Sequence, residues 1–173
     1  FLSVVAVSEN TTKLLGNAWY WAWRNRDQQS IVLSKRASPE TISAWVEETL
    51  RYDTSSQILG RLATTDIELH GTTIPAGERV LLLVGSANRD PRVFDEPDRF
   101  DVGRPEPYPQ IASFGYGRHF CMGASLARLE TQVVLEELAA AVRSYDIDPA
   151  GITRVHSVNV RGFAALPTTV TPR

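Results

Sequence analysis

Cysteine is nearly absent: the 173 residues hold one, Cys121. A lone cysteine excludes a disulfide framework within the chain, a Cys-x-x-Cys redox pair, and any zinc or iron–sulfur site built from cysteine alone. Its scarcity agrees with a reducing compartment. Lysine is almost as rare, with only Lys13 and Lys35 among 18 basic residues. No basic block forms and the formal net charge is −2, so nucleic acid is not the expected partner. No apolar run reaches the roughly 18 residues that a membrane-spanning helix needs, and no signal peptide is visible. Internal repeats and low-complexity segments are missing too.

What is present suits one globular unit. The chain is 43% hydrophobic and 22% charged, and a chain of this size buries roughly 70% of its unfolded surface. Its basic residues are mostly arginine, the better partner for carboxylates held at fixed geometry.

The cysteine lies in Phe114–Glu130, FGYGRHFCMGASLARLE, where a glycine-punctuated loop gives way to a helical pattern. Gly115, Gly117 and Gly123 permit tight turns or close approach of backbone to another group. Leu126, Leu129, Val133, Val134 and Leu138 follow at amphipathic helical spacing, predicting a helix from Cys121 to about Ser144. A thiol at a helix start meets unpaired N–H donors and the positive end of the macrodipole, which favours the thiolate. Three readings are open from the thiol alone: nucleophile, metal ligand, or small buried hydrophobe. The nucleophile is the weaker reading against the ligand, because His119 sits only two residues earlier on a tight loop.

The surrounding residues narrow the choice. Phe114, Gly115, Gly117, His119, Cys121, Gly123 and Ala127 all fall on F-G-x-G-x-[HR]-x-C-x-G-x-x-[LI]-A. The string therefore resembles the haem-binding loop of the cytochrome P-450 family. The resemblance implies that Cys121 is the thiolate ligand of the iron of haem b (iron protoporphyrin IX). Phe114, Gly115 and Gly123 would lie against the cofactor, and His119 and Arg61 would hold its propionates. An axial thiolate pushes electron density onto iron and favours O–O cleavage, and loop N–H groups tune the sulfur.

The implied fold class is mixed α and β, mostly helical with small antiparallel sheets, a partial cytochrome P-450 fold. Residues 1–173 are read as the C-terminal part of one haem-thiolate monooxygenase domain, soluble and of bacterial type. The N-terminal part, with one wall of the haem cleft, would be missing, so these residues alone are expected to be inactive.

Residues 1–7 (FLSVVAV) are apolar and are followed by a polar block from Ser8 to Lys13. Periodicity reads this as a strand and then a helix capped at Ser8. The resemblance reads it as one continuous helix whose polar interruption faces a cavity, similar to the family's A-G-x-[DE]-T-T segment. Ala6, Glu9 and Thr11 then match, whereas Val7 replaces a glycine and Asn10 a threonine. Glu9 and Asn10 are the catalytic candidates for relaying protons to dioxygen. Asparagine can hold a water but lacks a hydroxyl to relay a proton, and Val7 should narrow the local groove.

Asn25 to Ala37 reads as a polar connector. Ser38, Pro39 and Glu40 then start a helix running to about Tyr52. Within it Glu48 and Arg51 are three apart and share a face; alone, that is an ordinary helical pair. It is similar to the family's E-x-x-R core pair, completed by an arginine in P-x-R-F, here Arg99 in Pro97–Phe100. Its role would be structural, locking the loop side and supporting haem incorporation.

Asp53 to Val84 reads as antiparallel hairpins, and Ala87–Pro91 resembles a short helix. Residues 95–113 read as an ordered loop, and Asn159–Gly162 as a turn between short strands. Residues near Val158 to Phe163 would, by resemblance, reach the substrate pocket.

The implied activity is insertion of one oxygen atom from dioxygen into a small apolar organic substrate. Electrons would come from a ferredoxin or similar carrier with its NAD(P)H-dependent reductase. Arg104, Arg118 and Arg128 could offer the docking charge. The expected location is the cytoplasm. Two alternatives stand beside this reading: a haem protein binding gas or other ligands without oxygenating, and a peroxide-driven peroxygenase.

Overall fold

The computed structural model describes residues 2–35, 37–105 and 110–173, with side chains from residue 8 onward. Helix α1 runs unbroken over Leu2–Arg24, which bears out the continuous helix and not the strand-then-helix reading. Its buried stripe of Thr11, Leu14, Ala18 and Ala22 continues at helical spacing past the polar block, so Ser8 and Glu9 simply lie on the exposed side. Thr12 Oγ1 donates to the Ser8 carbonyl at 2.7 Å, returning a polar side chain to the helix's own backbone. The side chain of Val7, expected to narrow the groove, lies outside the described residues.

The expected connector after α1 is partly helical: α2 spans Arg26–Val32. Seven residues form a poor isolated helix, and tertiary contacts hold this one. Gln28 Oε1 accepts from Val102 N at 2.8 Å, Gln29 Nε2 donates to Tyr145 O at 3.2 Å, and Val32 is fully buried. Polar residues that look like connector in sequence are thus buried hydrogen-bonding partners.

Helix α3, Pro39–Tyr52, starts as predicted. Ser38 is its N-cap, its side chain accepting from Thr41 N, and Pro39 occupies the first turn. Ile42, Trp45, Val46 and Thr49 face the core, where Trp45 Nε1 donates to Ala18 O at 3.1 Å. The core centres on Trp19, stacked 3.6 Å from Tyr145 and 6.5 Å from Trp45. Tyr145 donates its hydroxyl to Trp19 O at 2.7 Å, which satisfies the one polar atom of a buried ring.

Among the described residues all sheets are two-stranded and antiparallel. Strand β1 (Ile58–Leu62) pairs with β4 (Arg79–Leu83), with Ile58 opposite Leu83. Between them, β2 (Ile67–Leu69) and β3 (Thr72–Ile74) form a hairpin. Its two-residue turn, His70–Gly71, has φ of 50° and 77°, the left-handed pair that a tight hairpin twist demands.

Helix α4 is a single turn at Val84–Ala87, upstream of the expected Ala87–Pro91. Pro91 has no N–H to give and disfavours helical backbone at Asp90, so residues 88–94 close as hydrogen-bonded turns.

Helix α5 covers Ala124–Ala141, shorter at both ends than Cys121 to Ser144. It stops because Val142–Ile147 leaves as β5 to pair with β8, Thr168–Pro172. Only pairing with a distant strand decides that boundary. Its buried face is Ala124, Thr131, Leu135 and Ala139; Leu126, Leu129, Val133 and Val134, read as the apolar stripe, are exposed. Strands β6 (Thr153–Arg154) and β7 (Phe163–Ala165) flank the Asn159–Gly162 turn as expected. Residues 95–105 and 110–113 contain no regular element.

Candidate functional site

The loop from Ala112 to Gly123 is wound by its own backbone. Gly115 N donates to Ala112 O at 2.8 Å, Phe120 N to Gly117 O at 3.0 Å, and Cys121 N to Phe114 O at 2.9 Å. Gly115 and Gly117 have φ of 72° and 69°, a conformation that glycine adopts without strain. Gly123 has φ −88° as N-cap of α5. A Cβ there would sit 3.9 Å from Cys121 Sγ, ordinary contact, so its smallness matters only for what else approaches the sulfur. Cys121 itself lies one turn before α5, its carbonyl accepting from Ala124 N at 3.2 Å.

Asn88 anchors the start of this loop. It is fully buried; its Nδ2 donates to Ser113 Oγ at 2.8 Å and to Leu50 O at 3.3 Å, and its Oδ1 accepts from Ala112 N at 2.7 Å. Ser113 Oγ also donates to Leu50 O at 2.6 Å. The cysteine loop is therefore tied to the C-terminal end of α3.

The same end of α3 carries the buried charges. Arg51 donates to both oxygens of Glu48 at 2.7 Å, and both side chains are fully buried. The remaining Arg51 donors reach the carbonyls of Asn88, Pro97 and Arg99 at 3.1, 2.8 and 2.9 Å. The second guanidinium on Glu48 is not that of Arg99, as the P-x-R-F match implied, but that of Arg104. Arg99 instead points outward to Glu96 and Asp101, its side chain half exposed, and gives the cluster only its carbonyl. Arg104 donates to Glu48 Oε2 at 3.0 Å and to the carbonyls of Asp95, Glu96 and Arg99. It lies five residues beyond Arg99 in a loop without periodicity, which offers sequence reading no register.

Cys121 is exposed, and its thiol opens on a cavity of about 520 Å³ shared with Arg61, His119, Phe114, Leu59, Leu62 and Ser56. Arg61 lies on β1, where its Nη1 donates to Gly60 O at 2.8 Å. His119 ends a 3₁₀ turn, Gly117–His119. Phe114 is half buried, with the Arg128 guanidinium 4.5 Å from its ring centre. Cys121, His119, Arg61 and Phe114 thus share one cavity. Gly115 lies behind the loop, where a Cβ would meet Leu59 Cδ1 and His119 O at 3.6 Å.

Asn10 and Glu9 fare differently. Asn10 is half buried and its Oδ1 lies 3.5 Å from Ser56 Oγ, so α1 reaches the cavity wall through Ser56. Glu9 is exposed on α1 and does not line that cavity. Of the three arginines expected at a docking surface, Arg104 is interior, on Glu48. Arg128 pairs with Glu47 at 2.5 Å, and Arg118 is exposed. Sequence reading missed Ser56, Leu59 and Leu62; the alternation of Leu59 and Arg61 on a strand was the available signal.

A porphyrin fits this chemistry. Thiolate is a soft ligand suited to iron, the Arg61 guanidinium and the His119 imidazole supply donors for acidic groups, and Leu59, Leu62 and Phe114 supply apolar surface for a ring. Among the described residues no group of three or more histidine, cysteine or carboxylate side chains could hold a metal ion.

The model of the family described as cytochrome P450 matches residues 24–166. A putative cytochrome P450 123 from Mycobacterium tuberculosis is 54% identical over the whole chain, which covers 42% of that relative. The biotin biosynthesis cytochrome P450 of Bacillus subtilis is 41% identical over 84% of the chain and 36% of its own length. Among solved structures, P450BioI in complex with hexadec-9Z-enoic acid ligated acyl carrier protein superposes with a TM-score of 0.91 and 36% identity. That match covers 98% of this chain and 43% of the other. The chain belongs to the cytochrome P450 family, a family of haem proteins, and spans well under half the length of these relatives. Among the described residues no helix is long and apolar enough to cross a membrane.

Proposed function

We propose that the full-length protein is a haem-thiolate monooxygenase holding haem b, with Cys121 as the iron ligand. It would hydroxylate a small apolar organic substrate in the cytoplasm. The observation that carries this reading is the meeting of Cys121, Arg61 and His119 on one partly apolar cavity. When bound, the haem supplies the activation of dioxygen: one atom enters a C–H bond, the other leaves as water, and two electrons and two protons are consumed. A ferredoxin-like carrier with its reductase supplies the electrons, and Arg118 is the arginine that remains available to meet an acidic partner.

The chain's own residues do the rest. Cys121 gives its sulfur, and the backbone turns at Gly115 and Gly117 hold that sulfur at the mouth of the cavity. Arg61 and His119 orient the cofactor through its acidic groups. Phe114 gives the same cavity apolar surface for the cofactor ring. Asn10 with Ser56 holds a water at the cavity wall, and Glu9, the preceding residue on α1, is the candidate acid of the relay.

A ferrous–carbon monoxide difference spectrum of the full-length protein tests the reading. A strongly red-shifted Soret band that disappears in Cys121→Ser supports it; an unshifted band in the parent protein overturns it. The second reading, haem binding without oxygenation, is favoured by Asn10, which brings an amide and no hydroxyl to this wall. Product formed per NAD(P)H consumed separates the two.

A further inference from the structure

Asp53 is a buried carboxylate with no part in the chemistry above. It is 2% exposed, at the end of α3, and it faces two arginines that lie seven apart in sequence. Its Oδ1 accepts from Arg161 Nε at 2.9 Å, and its Oδ2 from Trp21 Nε1 at 2.7 Å and Arg154 Nη1 at 3.4 Å. Asn17 Nδ2 donates to both Asp53 O (2.7 Å) and Arg161 O (3.3 Å). One carboxylate therefore clasps both ends of the 154–161 loop.

Backbone hydrogen bonds make up the rest of the loop's attachment. Its backbone meets the segment after Asp53 through Arg161 N to Ser55 O, Gln57 N to Asn159 O, and an isolated antiparallel bridge between Ser56 and Val160. Its apolar side chains are not packed into the core. Val155, Val158 and Val160 line a second cavity of about 560 Å³ together with Ile58 and Leu83 of the paired strands β1 and β4 and with Arg154 and Arg161 themselves, and Val158 is 86% exposed. This cavity adjoins the first along the chain: Ile58 lines one and Leu59 the other. The Ser56–Val160 bridge joins their walls. Among the described residues these valines lie outside the core, which leaves the Asp53 clasp and the backbone bonds to set the wall's position.

We propose that Asp53, with Arg161 and Arg154, is the positioning element that sets the apolar wall of the ligand cavity beside the haem site. It determines affinity for the extended, apolar part of a ligand and leaves haem binding alone. This rests on the haem-thiolate reading above.

The test compares two ferric-iron ligands, imidazole and 1-dodecylimidazole, by spectral titration of the full-length protein. Imidazole reports the iron; the dodecyl tail reports the wall. Asp53→Asn and Arg161→Gln should each leave the ferrous–carbon monoxide band and the imidazole affinity unchanged. Each should weaken 1-dodecylimidazole about ten-fold, the contact of roughly two methylenes. Arg161→Lys, which keeps the charge, should recover most of that loss. Equal effects on both ligands, or none on either, overturn the proposal. Arg161 has a half-exposed side chain, so its variant decides if Asp53→Asn fails to fold. Should both variants lose haem, the cluster is a folding element and the proposal fails. A parent protein without the red-shifted band brings down the haem-thiolate reading itself, a result distinct from any of these.

Discussion

Arg104 Nε lies 3.0 Å from Glu48 Oε2, on a carboxylate that is fully buried and already bound by both arms of Arg51. Two guanidinium groups on one buried carboxylate form a unit in which each charge depends on the others. Removing one partner leaves desolvated charge uncompensated, which costs about 3–5 kcal/mol, whereas an exposed pair is worth about 0–1 kcal/mol.

Arg104→Ala should therefore lower the fraction of protein that incorporates haem and cut stability by about 3 kcal/mol. Arg99→Ala should cost about 1 kcal/mol or less, because Arg99 enters the cluster through its backbone. Denaturant melts of the two variants, read beside the ferrous–carbon monoxide amplitude, check the contrast. Equal losses would mean that Arg99's side chain matters after all.

Arg61→Ala and His119→Ala should speed haem loss by about ten- to a hundred-fold each. That is the worth of a charge-assisted hydrogen bond of roughly 1.5–3 kcal/mol. Transfer of haem to excess apomyoglobin gives the rate. A variant that holds haem as long as the parent would remove that residue from the propionate role.

Asn10→Thr should raise product formed per NAD(P)H consumed. A hydroxyl beside Ser56 can pass a proton where an amide cannot, and a positioned proton donor contributes about a hundred-fold in rate at the low end. An unchanged ratio would show that Asn10 does not limit coupling.

The acid stability of the fold should carry the signature of two surface carboxylates. Hydrogen bonds from the Arg92 side chain, then from its backbone N–H, lower Asp90 from 3.8 to about 2. Asp146 is also lowered, first by the Trp23 indole N–H at 2.5 Å and then by Arg26. A carboxylate that binds protons less readily when folded stabilises above its unfolded value, and that stability is lost as pH falls through the folded value. Melting temperature should hold above 3.8 and fall between 3.8 and about 2. The fall should be shallower in Asp90→Asn and Asp146→Asn, as thermal melts across that range will show.

Some of this was open to reading in one dimension. The Ser38–Pro39 start of α3 was legible because capping is a local matter of hydrogen-bond geometry. The hairpins were legible from alternation and turn residues, and the cysteine loop from the density of its glycines. Helix α2 was not, because Gln28 and Gln29 look like linker until the backbone groups they bind are in place. Nor was the boundary at Ala141, which depends on pairing with residues 168–172.

By itself the sequence determined the elements whose causes lie within a few residues: caps, turns, strand alternation, and the loop that carries Cys121. Tertiary structure alone decided which arginine meets Glu48, which face of α5 is buried, and that Cys121, Arg61 and His119 share a cavity. Those outcomes depend on where distant segments come to lie, and burial and Coulomb interactions act through space with no memory of separation along the chain.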